Sequence, residues 1–335
     1  MLKQYRFPGR RPQFPSPVRI AALLSLLAIL LLPAPDPAPA ACRSKALVKR
    51  PIVVIGEPLA AVCLRLNIAP LAWVGRKSLW EDGARLSAAS EALGCPGRLS
   101  GPKGLAMIKR IRALDPKAVY MTHLKCRYRP DIDYRKIRKA LRAEGIEPRI
   151  IAFDNDPMAA VQEFSVALDR AADGEKLAAN YEKAFQRARA RLAAVPKGLR
   201  VAVVSGTFQT ATGKCFTRLE AAGGYSDAFV LKAAGAVNVA ADIVQNSDKI
   251  DKGHLVLRRL DRVLAARPDV IAATGDALPV AVKVAGALRR SASQEAAPAV
   301  FALPLYVGAD PLAYPDVLTR WAVALEAAAA VGDQK

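Results

Sequence analysis

The chain has 335 residues, a length that suits a leader segment followed by two domains of ordinary size. Its 50 lysines and arginines against 30 acidic residues give a formal net charge of +20, which favours anionic partners or an anionic membrane surface. The basic residues are spread along predicted helices and form no basic and aromatic recognition module, so nucleic acid is not expected as a partner.

Residues 1–41 have the pattern of a secretory signal peptide. Five basic residues come before an apolar run at 20–32, and small residues and prolines follow that run. The run is shorter than the roughly 20 residues that cross a bilayer, so we expect a cleaved signal, with an uncleaved anchor as the alternative.

Cys42 follows two alanines and weakly resembles a bacterial lipoprotein site, but Pro39 stands where those sites usually carry an aliphatic residue. We therefore expect a soluble exported protein. Export permits disulfides, and the odd number of cysteines leaves at least one unpaired, lipidated or intermolecular. The spacing leaves the pairing open among Cys42, Cys63, Cys95, Cys126 and Cys215.

Residues 42–157 are predicted to form a first α/β lobe. Apolar runs rich in β-branched residues indicate buried strands, and longer periodic segments indicate helices. The strands are predicted at 50–56, 71–75, 118–121 and 149–153, and the helices at 59–66, 105–114 and 134–145. Residues 76–99 are predicted to be irregular. Such alternation is typical of a mostly parallel sheet with both faces covered.

Residues 158–195 are predicted to form one long α-helix between two lobes. Alanine, leucine, lysine, glutamate and arginine dominate this proline-free segment, and all of them favour helix. Gly174 is the position where the helix could stop and restart. The alternative is an amphipathic helix packed on a single domain.

Residues 196–335 repeat the strand and helix pattern and are predicted to form a second lobe. Strands are predicted at 200–204, 269–273 and 299–303, and helices at 226–234, 255–266, 280–288 and 315–331, with 208–224 irregular. The predicted fold is therefore α/β, with two Rossmann-like lobes of mostly parallel sheet joined by one long α-helix.

Two segments carry a resemblance to a known family. Residues 226–242 contain a short helix, Ala234-Gly235 and then Asn238, and residues 260–272 contain a helix, a proline and a strand. In this order the segments resemble the helical-backbone (class III) substrate-binding proteins of ABC importers for iron–siderophore complexes, haem or cobalamin. The resemblance implies a monomeric periplasmic protein that holds a metal chelate between two lobes and delivers it to an inner-membrane permease and its ATPase.

The same resemblance implies where the permease docks. Proteins of this family usually expose one glutamate on each lobe, which pairs with arginines of the permease. The corresponding positions here are Asp261, which keeps a carboxylate, and Lys109, which reverses the charge.

Ligands of open α/β sheets bind beyond the carboxyl ends of the strands, so the side chains there are candidate ligand contacts. Basic groups could bind anionic oxygens of a ferric siderophore, and aromatic rings could stack on a catechol, porphyrin or corrin. The candidates are Trp73, Arg76, Trp80, His123, Lys125, Arg127 and Tyr128 in the first lobe and Phe208, Gln209, Thr274 and Tyr306 in the second. The alternatives are a solvated basic loop, a core position for Trp73, and His123 as an axial haem ligand.

Motifs for catalysis or a resident metal are missing from the sequence. The chain has two histidines and no C-x-x-C, H-E-x-x-H, P-loop or G-x-S-x-G pattern. We therefore expect neither an enzyme nor a cofactor, and we expect the ligand to be a ferric siderophore, with haem or cobalamin as the alternative. Two further alternatives are an exported enzyme that uses Cys126 near His123 and an exported polyanion binder driven by charge.

Overall fold

The computed structural model describes residues 46–76, 82–99, 101, 104–123, 133–153, 156–245, 247–251, 253–290, 297–303 and 310–332. The predicted signal peptide lies outside these residues. The predicted lobe boundaries stay predictions. The described residues form two β-sheets with helices packed on them.

The first sheet has five parallel strands in the order β3-β2-β1-β4-β5. They are β1 (Val48–Ile55), β2 (Ile68–Val74), β3 (Glu91–Gly94), β4 (Ala118–His123) and β5 (Arg149–Ala152). The helices of this part are α1 (Glu57–Arg65), α2 (Gly83–Ser87), α3 (Gly104–Ala113) and α4 (Tyr134–Ala143). Alternate side chains of β1 belong to two different cores. One core contains residues of α1, and the other contains residues of α3 and α4.

The second sheet has seven strands and is mixed. They are β6 (Arg200–Gln209), β7 (Lys214–Glu220), β8 (Val237–Asn238), β9 (Ile250–Asp251), β10 (His254–Leu257), β11 (Val270–Gly275) and β12 (Ala299–Ala302). The order is β12-β11-β6-β7-β10-β9, and β8 also pairs with β6. Strands β12, β11, β8 and β6 are parallel, whereas β7, β10 and β9 continue the sheet through antiparallel pairs.

The second sheet carries further helices. A π-helical turn at Asp227–Leu231 leads into α7 (Lys232–Ala234), and α8 (Ala240–Ile243), α9 (Asp261–Ala265), α10 (Ala277–Arg290) and α11 (Tyr314–Gly332) follow. The two sheets and their helices confirm the expected α/β fold with mostly parallel strands.

Two helices follow one another in the chain between the sheets, so the expected long helix is present but does not extend over the whole of 158–195. They are α5 (Pro157–Ala167) and α6 (Ala171–Ala194). The chain turns at Asp169, which has φ 57°, and Arg170 donates its backbone N–H to the Ser165 carbonyl at 2.8 Å. Gly174 is not the interruption but lies inside α6.

Helix α6 packs against both halves of the molecule. Leu177 near its beginning contacts the core that contains α1, whereas Ala188 and Leu192 near its end belong to the core of the second sheet. The segment before α11 makes a second connection, because Asp310 accepts a hydrogen bond from Arg65 of α1 at 3.0 Å. The junction therefore includes α6 and this segment.

Three local predictions are corrected by the sheet pairing. Residues 208–224 were expected to be irregular, but they include the end of β6 and all of β7, joined as a hairpin. Residues 255–266 were expected to be one helix, but they form most of β10 and then α9, because Leu255 pairs with Leu219. Residues 76–99 include β3.

Glu220 is a buried acid at the end of β7, only 1% exposed. Its carboxylate accepts hydrogen bonds from the backbone N–H and the hydroxyl of Ser226. Burial raises the pKa of Glu220 to about 6, with a smaller contribution in the same direction from the charge of Asp227 and an opposing one from the Ser226 hydrogen bonds.

The contact of Gly174 with α5 predicts an unusual response to alanine. A Cβ atom at Gly174 would lie 2.4 Å from the Ser165 Cβ. We expect Gly174→Ala to lower the free energy of unfolding by about 1–3 kcal/mol, although alanine favours helix, because α5 and α6 must separate. Urea unfolding measures this change. Gly286→Ala in α10 is the control, since a Cβ there lies 3.6 Å from its nearest neighbour. This substitution should raise the free energy of unfolding by about 0.5–1 kcal/mol, because alanine favours helix. Equal effects of the two substitutions would contradict the close packing.

The raised pKa of Glu220 predicts a pH-dependent stability. Since the pKa is about 6 in the folded chain and 4.5 as the reference, the folded state binds the extra proton between these values. Protonation of Glu220 therefore contributes about 2 kcal/mol to the free energy of unfolding below pH 4.5, and this contribution is lost as the pH rises through 6. Urea unfolding across this range should show a decline that Glu220→Gln removes. The exposed Glu163→Gln serves as control and should keep the decline; a decline that persists in Glu220→Gln would assign it to another group.

Candidate functional site

Three polar residues lie at the carboxyl edge of the first sheet: the predicted contacts Arg76 and His123, and Glu57. Strands β1 and β4 are adjacent at the point where the strand order reverses, the usual position of a ligand crevice in such sheets. Glu57 begins the helix after β1, Arg76 follows β2, and His123 ends β4. Arg76 and His123, both predicted from the sequence as candidate contacts, therefore lie at the same edge of this sheet.

Arg76 is held by a buried carboxylate. Its Nε lies 2.9 Å from Glu57 Oε1, and its backbone N–H donates to the same oxygen at 2.9 Å. The Glu57 side chain is fully buried, while the Arg76 side chain keeps 18% of its surface exposed. Because Glu57 fixes both the backbone and the guanidinium, Arg76 presents a positioned cation at the sheet edge.

His123 ends β4 at the same edge of the sheet and contacts Tyr134 of α4. The His123 ring is half-buried, and its centroid lies 6.2 Å from the centroid of Tyr134 in an edge-on arrangement. Thr122 is fully buried beneath Gly56, where a Cβ would come within 2.5 Å of the threonine hydroxyl. Glycine at this position, with φ 117°, therefore permits the chain to leave β1 over β4. Trp73 is fully buried in the core, which matches the alternative expected for it.

The carboxyl edge of the second sheet is built by β6 and β11, which are parallel neighbours. Asp276 follows β11; its carboxylate accepts the backbone N–H of Phe208, and its own N–H donates to the Gly206 carbonyl at 3.0 Å. Asp276 therefore fixes the last residues of β6 to the end of β11. Thr274, predicted as a ligand contact, is fully buried beneath this edge.

The hairpin of β6 and β7 extends beyond this edge and carries two predicted contacts. Phe208 is half-buried and pairs across the hairpin with Cys215, whereas Gln209 is exposed and accepts a hydrogen bond from the Thr212 hydroxyl at 3.1 Å. Lys283 of α10 donates to the Cys215 carbonyl at 2.7 Å. The hairpin is thus tied to α10 as well as to β11.

The remaining predicted contacts lie outside the described residues. They are Trp80, Lys125, Arg127, Tyr128 and Tyr306, and Cys126 lies outside as well. These positions stay predictions, and the described part of the site consists of Arg76 and His123 at one edge and Phe208 and Gln209 at the other.

An aromatic cluster near the junction was missed by the sequence analysis. Tyr181 and Phe185 of α6 stack with ring centroids 5.7 Å apart, Phe185 meets Tyr314 at 5.6 Å, and Tyr314 meets Phe229 at 6.1 Å. Tyr225 joins Phe229 at 4.5 Å. Burial raises the pKa of Tyr181 and of Tyr314 to about 12. The i, i+4 spacing of the two pairs was the available signal, but only the fold brings them together.

The two predicted docking residues are exposed. Lys109 lies on α3, and Asp261 begins α9, where its carboxylate lies 2.8 Å from Arg259. Within the described residues, no group of three histidine, cysteine, aspartate or glutamate side chains is arranged to hold a metal ion. Cys63, Cys95 and Cys215 are free thiols, and burial raises the pKa of Cys63 and of Cys215. Among the helices described, none is long and apolar enough to cross a membrane.

The Glu57–Arg76 pair predicts a large loss of stability when its cation is removed. Arg76→Met leaves the fully buried Glu57 carboxylate without its guanidinium, so we expect the free energy of unfolding to fall by about 3–5 kcal/mol in urea. Changing Glu57 to Gln in the same chain should restore much of that loss.

Arg110→Met is the matched control for Arg76→Met. Arg110 forms a bidentate pair with Glu91 over the same sequence separation, but the two side chains are 52% and 38% exposed. We expect a change within about 1 kcal/mol, because exposed ion pairs contribute little. A loss at Arg76 no larger than that at Arg110 would contradict the structural role of the buried pair.

Comparison with known proteins gives a structural likeness only. No family model and no curated protein matches the sequence. The structure is similar to the periplasmic haem-binding protein RhuT from Roseiflexus sp. RS-1, with a TM-score of 0.58 and 20% identity over 84% of this chain and 99% of that one.

Two further solved structures are similar. A periplasmic haem-binding protein from Pseudomonas aeruginosa has a TM-score of 0.55 and 16% identity over 82% of this chain and 92% of that one. The periplasmic vitamin B12-binding protein BtuF of Vibrio cholerae has a TM-score of 0.51 and 15% identity over 83% of this chain and 97% of that one. The chain therefore has the α/β fold of the helical-backbone periplasmic binding proteins.

Proposed function

We propose that this protein is the periplasmic substrate-binding component of an ABC importer and that it captures a metal chelate between its two sheets. The observation that supports this is the placement of polar and aromatic side chains at the carboxyl edges of both sheets, each at a pair of parallel neighbours. The fold shared with periplasmic haem-binding and vitamin B12-binding proteins supports the same class of ligand.

The first candidate ligand is a ferric siderophore. Arg76 is a cation whose position is fixed by Glu57, and a fixed guanidinium can bind anionic oxygens without losing much conformational entropy. Lys125, Arg127 and Tyr128 follow β4 in the sequence and would add cations and an aromatic ring beside His123. Phe208 at the opposite edge, with Trp80 and Tyr306, would contact the apolar part of the chelate.

The second candidate ligand is haem, with cobalamin as a further member of the same class. His123 is half-buried at the end of β4, which suits an axial ligand to iron, and Arg76 could bind a propionate. Two of the similar structures are described as periplasmic haem-binding proteins, and this supports testing haem beside the siderophores.

Delivery to the membrane would follow from docking of both halves on a permease. Asp261 keeps the carboxylate expected for this contact, and Lys109 places a positive charge at the other position. We propose that Asp261 meets a basic group of the permease and that the region around Lys109 meets an acidic one. Binding and release are sufficient for this function, so no covalent step is required of any residue.

Titration of the purified protein with haem, cobalamin and ferric siderophores tests the proposal. We expect one ligand to change its absorbance or quench the tryptophan fluorescence at micromolar protein concentration. If the ligand is haem, His123→Ala should shift the Soret band, because an axial ligand is lost. The matched control is His254→Ala, which lies on β10 and should leave the spectrum unchanged. Lack of any change with all three ligand classes would contradict the proposed function.

A further inference from the structure

Helices α3 and α4 form a continuous basic surface on the first sheet, which we call the α3–α4 face. The helices contact each other and bury Ile108, Ile111, Ile137 and Leu141 in one core. Together the two helices contain eight basic residues and no acidic residue, and seven of the eight basic side chains are exposed while Arg138 is half-buried. The eight are Lys109, Arg110, Arg112, Arg135, Lys136, Arg138, Lys139 and Arg142.

Five of the eight basic side chains lie in two rows. On α4, Arg135, Lys139 and Arg142 have i, i+4, i+7 spacing, which places them on one helix face. On α3, Leu105, Lys109 and Arg112 have the same spacing, and Leu105 is 48% exposed. The Arg112 and Arg142 side chains are 69% and 50% exposed. The α3–α4 face is therefore an extended array of cations with one apolar side chain at the start of its second row.

Acidic neighbours neutralise only part of this charge. Four carboxylates pair with members of the two helices, and they belong to Glu91, Asp133, Glu144 and Glu147. In the part of the chain that the structure describes, Lys109, Arg135 and Lys139 take part in no ion pair. Since the existing pairs are exposed, they are weak and can be exchanged for other anions.

We propose that the α3–α4 face binds the surface of an anionic lipid bilayer through the phosphate groups of its lipids. The cations spread over two helices instead of converging on one point, so they match a laterally extended anionic surface better than a small ligand. An exposed leucine beside the cations fits an interface where apolar side chains enter the headgroup region. This proposal does not depend on the ligand that the protein carries. It does not require Lys109, which is proposed for the permease contact, because Arg112 and the cations of α4 remain.

Sedimentation with lipid vesicles tests the proposal. All variants are produced from the same full-length sequence in the same host, so that they share the same N-terminus. We expect it to bind phosphatidylglycerol vesicles at low salt, to ignore phosphatidylcholine vesicles, and to be released at about 1 M salt, where the Debye length is roughly 3 Å. Failure to bind phosphatidylglycerol vesicles at low salt would overturn the proposal.

A triple variant locates the binding on the α3–α4 face. Arg135→Gln, Lys139→Gln and Arg142→Gln together remove three exposed cations, and glutamine keeps the helix propensity. Each basic residue near an anionic membrane strengthens binding by about five-fold, so the partition coefficient should fall on the order of 100-fold.

The matched control removes three cations from α6. Lys176, Lys183 and Arg187 are exposed and lie near one face of that helix, and changing all three to glutamine alters the net charge equally. We expect the control to lose less than about ten-fold, because only the overall charge changes. Equal losses in the two variants would overturn the assignment to the α3–α4 face. Thermal unfolding of both variants shows that each remains folded.

Two competition experiments separate the bilayer from other anions. Inorganic phosphate added at constant ionic strength should not displace the protein from vesicles if an extended surface is recognised. Displacement by phosphate would indicate a discrete anion site and overturn the proposal. Binding to an acidic protein or to heparin, together with failure to bind vesicles, would point to a macromolecular polyanion and would overturn it as well.

Discussion

The packing of α6 against two separate cores is the constraint on which the rest of the structure depends. Leu177 contacts the core of the first sheet, and Leu192 belongs to the core of the second, so one helix fixes the relation between both sheets. The absence of a side chain at Gly174 lets α5 and α6 pack closely at Ser165. Since α5 follows β5, this packing connects the last strand of the first sheet to α6. The Arg65–Asp310 hydrogen bond adds a second connection at the junction.

The candidate ligand-binding side chains lie at the carboxyl edges of parallel strands in both sheets. In the first sheet a buried carboxylate, Glu57, orients Arg76, and in the second an exposed carboxylate, Asp276, orients the backbone of Phe208. In both cases an acid at the end of a strand fixes a neighbouring segment by hydrogen bonds. The candidate site therefore gains its rigidity from strand ends, and rigid groups lose little entropy when they bind a ligand.

Part of the strong positive charge of the chain lies on the α3–α4 face. The sequence alone indicated basic residues distributed over many helices, and part of that charge does lie on α6. The fold, however, sets α3 and α4 side by side, so that two basic rows become one surface, partly neutralised by Glu91, Asp133, Glu144 and Glu147. A candidate ligand edge and a basic helix face thus occur on the same sheet.

The sequence by itself determined the α/β class, four of the five parallel strands of the first sheet, and the presence of Arg76 and His123 at strand ends, because buried β-branched runs followed by helices are local patterns. Tertiary structure decided what local patterns leave ambiguous. Residues 255–257 have spacing compatible with helix or strand, and pairing with β7 selects the strand. The interruption at Asp169 and the aromatic contacts of Phe185 with Tyr314 arise only when α6 meets α5 and α11, since segments distant in the chain must pack together before these contacts form.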